Sequence, residues 1–299
     1  MYYLVFGLLY LVSLLPFFIL YRISDLFYFL IYYVVGYRKK VVMDNLRQAF
    51  PQKTEQALKT ISKKFYHSFI DNWIETIKLI SISKSSLNKR ATGNFDILHQ
   101  LYAANSKAVQ GNYGHFINWE IANLHSGINQ PFPLLTVYFP QSSKIMTRLI
   151  VFIRSRWGNY QLPSTEMVRS LIPWRKKRYL LALVGDQSAD PENANWLYFM
   201  NRPAPFAKGP EKFARGQGIP VVVMTTTKSK RGHYHFEYSL LCDDPQSLPE
   251  GELMRRYVQH LEKNIELQPE IYLWSHRRWK HPWKTDYSDR WIDDKQYPV

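Results

Sequence analysis

The sequence predicts an α/β protein with a mostly parallel central sheet flanked by helices, behind an N-terminal membrane-anchoring helix. Three observations predict it. Beyond Lys107, short apolar runs alternate with helical segments. Residues 41 to 80 carry apolar side chains at spacings of three and four. The first 21 residues, MYYLVFGLLYLVSLLPFFILY, contain no charged side chain.

At about 1.5 Å per residue, 21 residues are enough to cross a hydrocarbon layer of about 30 Å. A cleaved signal peptide would show a basic start and a small-residue cleavage site, and neither is present around Arg22. The expectation is a retained anchor, with a very apolar core helix as the alternative. Leu26 to Tyr37 is shorter and rich in Tyr and Phe, which suits an aromatic band in the membrane interface. Arg38, Lys39 and Lys40 follow, where anionic headgroups would attract them. Residues 1–37 are therefore expected to anchor the chain and residues 38–299 to form one domain. The positive-inside tendency puts that domain on the cytoplasmic side.

Residues 41 to 80 read as two helices separated at Pro51. Leu58, Ile61, Phe65, Phe69, Trp73 and Ile77 form the core-facing stripe of the second. Strands are expected at 107–111, 134–138, 179–185, 219–226 and 233–241. Helices should start near His115, Lys144, Glu166, Pro210 and Gly251. Strands separated by helices of this length imply parallel pairing with crossovers. Pro210 at the first helical position, with Gly216 and Gly218 at the end, punctuates one of these helices.

Cys242 is the only cysteine, so no internal disulfide and no paired-thiol redox chemistry can be built. The formal charge is +15, clustered at 38–40, 175–178, 228–231 and 276–280, which calls for anionic partners. No nucleic-acid module signature and no H-E-x-x-H or similar ligand cluster occurs.

The stretch GNYGHFINWE, residues 111 to 120, sets His115 five positions before Glu120. Composition alone gives about 0.7 His-x4-acid pairs by accident, and the chain has two. The other, His281 with Asp286, lies in a Pro- and Trp-rich tail with no strand before it. His115 follows a strand and precedes a helix, with Gly111 and Gly114 allowing a tight turn and close substrate approach. Residues five apart on a helix diverge by about 140°. Both can therefore serve one site only if His115 sits ahead of the helix and Glu120 inside it. Glu120 would then accept from one ring nitrogen and leave the other as a base. A surface histidine capping a helix competes equally on the residues alone.

Four blocks, YRKKVVMDNLRQAFP at 37–51, GNYGHFINWE, residues 185–222 beginning GDQSADPENANW, and YLWSHRRWK at 272–280, resemble the late acyltransferases of lipid A biosynthesis. That family belongs with the wider glycerolipid-type acyltransferases that carry His-x4-Asp or His-x4-Glu. The resemblance implies transfer of a fatty acyl chain from acyl carrier protein, or acyl-CoA, to a hydroxyl of a lipid A precursor. It implies the cytoplasmic face of the inner membrane, no cofactor and no nucleic-acid partner. His115 becomes the base and Glu120 its orienting partner. Cys242 is then expected to be structural, since a base-assisted hydroxyl needs no covalent intermediate.

Further residues carry two readings each. Arg156, with Arg154 in RSRWGNY, is expected at a phosphate or the oxyanion, or else as a solvated arginine. Asp186 and Gln187, after a hydrophobic strand, are expected to organise the site, or Asp186 to anchor its loop. Lys208 and Gly209 are expected to receive an anionic group, or to be helix punctuation. Arg277 and Arg278 divide between phosphate or membrane contact and a solvated face, and Trp274 and Trp279 between interface and core. Two rival functions remain. One is the same chemistry on another lipid acceptor, such as an aminolipid or glycosylated phospholipid. The other is a non-catalytic membrane-tethered lipid binder.

Overall fold

The computed structural model describes residues 1–298. The N-terminal segment is a pair of helices broken at Pro16, where the backbone turns extended. Its arms are α1 (Tyr2–Leu14) and α2 (Phe17–Phe29), the latter running on as a wider turn over Leu30–Val35. This corrects the expected boundary, because proline removes a helix donor and crowds the preceding turn. At 13 residues, α1 is too short to span a membrane. Phe17–Val35, at 19 residues, is long and apolar enough by length and composition.

Then come α3 (Lys39–Ala49) and α4 (Glu55–Lys78), the two expected helices on either side of Pro51. Thr54 caps α4 through its hydroxyl. Leu58, Phe65 and Phe69 are buried in the core as expected, whereas Trp73 is 44 % exposed. The polar side of α4 holds both helices. Asp71 accepts from Ser24 Oγ at 2.7 Å, and Lys78 donates to the carbonyls of Ser13 and Leu15.

The remaining elements are α5 (Lys84–Asn88), β1 (Ala91–Asn94), α6 (Asp96–Ala103), β2 (Ala108–Tyr113), α7 (Trp119–Asn129), β3 (Leu134–Tyr138), α8 (Lys144–Arg154), β4 (Tyr160–Pro163), α9 (Met167–Leu171), β5 (Tyr179–Val184), β6 (Ala194–Phe199), β7 (Arg202–Ala207), α10 (Gly209–Gln217), β8 (Val221–Lys230), β9 (His233–Cys242) and α11 (Glu252–Leu267). Seven strands form one sheet in the order β1-β9-β8-β2-β5-β3-β4. Only the β8–β9 hairpin pairs antiparallel within it. The largely parallel α/β sheet is thus as expected, its strands buried by helices packed on it. β1, β4 and the separate β6–β7 hairpin were not anticipated. β1 and β4 are four-residue edge strands, and β6–β7 contains Pro203 and Pro205, which weaken a strand reading.

The register does most to build the site. Tyr113 at the end of β2 stands opposite Val184 at the end of β5, and Met224 of β8 opposite Tyr238 of β9. Loops therefore leave the carboxyl edge of two adjacent parallel strands at the same height.

Candidate active site

His115 lies two residues past β2 and Asp186 two residues past β5. Asp186 Oδ1 is 2.5 Å from His115 Nδ1, and its Oδ2 accepts the His115 backbone N–H at 2.9 Å. Only 2 % of the Asp186 side chain is exposed, against 21 % for His115. Burial alone would raise the Asp186 pKa. The neighbouring His115, its two hydrogen bonds and the charge of buried Arg278 outweigh that and hold it below the usual carboxylate range. An acceptor-only carboxylate places the ring proton on Nδ1 and leaves the Nε2 lone pair free. Gln187 Nε2 lies 3.4 Å from that Nε2.

The histidine loop is gripped from the far end of the chain. Leu273 N–H donates to His115 O, Ile117 N–H donates to Ile271 O, and Phe116 bridges Tyr272. Asn45 donates to the carbonyls of Trp274 and His276, and Arg38 to Ser275 O. With Asp186 and Gln187 from the third, all four sequence blocks thus meet around one loop. The glycines act by packing rather than by conformation, since neither has a positive φ. A Cβ on Gly111 would stand 2.0 Å from Tyr113 Oη, and one on Gly114 would stand 2.6 Å from Leu261 Cδ2.

Glu120 corrects the expected pairing. It lies in the first turn of α7, and its carboxylate is held in a fork by Arg154 of α8, Nε and Nη2 both at 2.7 Å, with Trp119 Nε1 donating at 3.0 Å. With its lone pairs engaged there, the group that orients His115 is Asp186. Burial would weaken the Arg154 charge, but Glu120 raises its pKa overall. Glu120 and Arg154 nevertheless line the same cavity as His115.

That cavity has a volume of about 710 Å³. From His115 it runs between α7 and the sheet, past Ala122 and Ala182 to Ser126, Met224 and Tyr238. Ser126 Oγ and Tyr238 Oη, 2.6 Å apart, are hydrogen-bonded to each other in its lining. Its outer part is lined by Trp73, Phe139 and Met146, all substantially exposed. Apolar side chains and polar groups alternate along the lining, and the volume is large enough to hold a long hydrocarbon chain.

The other expected residues are dispersed. Arg156 turns away and donates to the carbonyls of Leu79 and Ile82 while covering Trp157, so the arginines that line this cavity are Arg154 and Arg38. Lys208 and Gly209 line a separate cleft with Asp190 and Lys212. Arg278 is neither solvated nor membrane-facing: it is 1 % exposed, lies over the Phe206 ring and donates to Pro205 O, and burial lowers its pKa to about 10. Arg277 is exposed, and Trp274 and Trp279 are core residues. Cys242 is free and buried at the end of β9. His276, read only as part of a basic cluster, lines the cavity. Its Nε2 accepts the Ser188 N–H, and burial pushes its pKa down to about 4, so it is neutral. Among the described residues no group of His, Cys, Asp and Glu is arranged to hold a metal ion.

The His115–Asp186 pair and the cavity between α7 and the sheet sit at the carboxyl edge of the parallel strands, where open α/β sheets place their ligands. The chain belongs to the bacterial lipid A biosynthesis acyltransferase family, whose profile matches residues 1–281. A search among curated proteins finds no match.

Proposed function

We propose that this protein moves a fatty acyl chain from a thioester, on acyl carrier protein or coenzyme A, to a hydroxyl of a lipid A precursor at the cytoplasmic face of the inner membrane. The observation that carries the reading is the cavity with His115 in its lining and Asp186 behind the ring. The acyl chain lies along Ala122, Ser126 and Ala182, leaving its thioester carbonyl beside His115. The acceptor hydroxyl attacks that carbonyl and gives its proton to Nε2, while Asp186 stabilises the imidazolium. Arg154, steadied by Glu120, supplies positive charge near the developing oxyanion. Collapse breaks the carbon–sulfur bond, and the Nε2 proton leaves with the thiol.

The apolar helix Phe17–Val35 supports a membrane location, and the +15 charge suits two acidic substrates. The test is mass spectrometry of a lipid A precursor incubated with the purified protein and an acyl thioester. The expected result is the mass of one added acyl chain with wild type and none with His115→Ala. An unchanged acceptor with wild type, or equal transfer by His115→Ala, would overturn the assignment.

A further inference from the structure

Glu75, in the last turn of α4, is 1 % exposed and takes no part in the chemistry above. Its carboxylate accepts from three neutral donors brought from three parts of the chain: Tyr21 Oη of α2 at 2.9 Å, Tyr234 Oη of β9 at 2.7 Å and Asn118 Nδ2 at 3.0 Å. Among the described residues no cation lies within ion-pair distance of it. Burial first, then the charge of Asp71, raise its pKa, and the Asn118 and Tyr234 bonds partly offset this. A buried carboxyl so placed is costly, and apolar packing would serve a purely structural role better.

Asn118 is the N-cap of α7. Its Oδ1 accepts the N–H groups of Glu120 at 3.1 Å and Ile121 at 3.2 Å. The two ends of an amide side chain have nearly the same shape, so partners decide which end faces which way. Glu75 accepts from the NH₂ end and thereby turns the oxygen toward the helix. A reversed amide would set its NH₂ against two backbone donors and lose the cap.

We infer that Glu75 is a positioning residue for acyl transfer: by orienting Asn118 it fixes the first turn of α7, which carries Glu120, and through Tyr21 it joins that turn to α2. This rests on the acyltransferase reading above.

The test is a rescue experiment with the full chain in detergent micelles, following acyl transfer from an acyl thioester to a lipid A precursor, with thermal unfolding measured alongside. Asn118→Asp keeps a good capping side chain but sets carboxylate against carboxylate. It should lower kcat at least about tenfold and leave KM for the thioester within about twofold. Glu75→Gln keeps a carbonyl for Asn118 and Tyr234 and an NH₂ for Tyr21 Oη, and should stay within about threefold of wild type. Combining the two restores a donor–acceptor pair and should bring kcat back to within about threefold. Full kcat in Asn118→Asp alone, or a folded double variant as slow as that single one, would overturn the inference. If Asn118→Asp does not fold, the double variant still decides: folded and active supports the link, folded and inactive overturns it. Failure of the acyltransferase reading looks different, since wild type itself would then show no transfer or His115→Ala would retain it.

Discussion

Tyr113 and Val184 stand side by side at the ends of two parallel strands, and the His115–Asp186 pair follows from that register. Two residues beyond each, the chains are still close enough for a carboxylate to reach both the ring and the backbone of the histidine.

Asp186→Asn should therefore leave the fold intact and lower kcat by about 10²-fold or more, because an amide can present an N–H to Nδ1 and shift the ring proton to Nε2. Turnover measured beside circular dichroism checks this. Activity within threefold of wild type would remove Asp186 from the mechanism.

Arg154→Met strands the Glu120 carboxylate in a buried site, and a loss of about 3 kcal/mol in stability is expected. Adding Glu120→Gln should recover part of that stability without recovering turnover. Denaturant unfolding of the two variants gives the comparison.

Arg156→Ala removes donors from two carbonyls between α4 and α5, which should cost about 1–3 kcal/mol and leave kcat and KM unchanged. A raised KM for the acceptor would return Arg156 to the binding site.

Stability should fall as the solution is acidified below neutrality, with a contribution from His125. Burial between the rings of Phe95 and Phe236 lowers its folded pKa from 6.5 to about 4. The unfolded chain binds its proton first, so stability is lost between about pH 6.5 and 4 and the loss is complete below that. Its full size is on the order of 3 kcal/mol. His125→Phe should flatten this part of a melting-temperature profile. His276, lowered in the same way, leaves a remainder in the same window.

Ser126→Leu fills the inner end of the slot. Under the proposed function, kcat/KM should fall at least about tenfold for the longest acyl donors and much less for short ones. Equal losses across a donor series would show that the chain lies elsewhere.

Much of this was legible in the residues. Strand 134–138 and the helix from Lys144 were found at their true bounds, because apolar runs between polar turns leave little choice. His115 was found because a strand, two glycines and a helix start surround it. Its partner was not, because sequence spacing favours acids on the same segment, whereas Asp186 arrives through strand adjacency from 71 residues away. The readable sign was that His115 and Asp186 each follow a hydrophobic strand by two residues. Arg156 was preferred to Arg154 because position within RSRWGNY cannot reveal that Arg154 still belongs to α8 while Arg156 has passed its end. Glu75 gave no signal, since one more acid on a charged helix reads as a solvated face.

The helix pair broken at Pro16 has a practical consequence for anyone preparing this protein. Phe6 packs edge-on against Phe152 and Arg148 covers Tyr2, so α1 braces the helix that carries Arg154. α2, in turn, shields Asp71 and Glu75. Trimming the first 37 residues to gain solubility would flood those buried acids with water and slacken α8. The shortened product would lack a properly assembled reaction centre and would expose the apolar surface those helices cover, so detergent extraction of the whole chain is the sounder route.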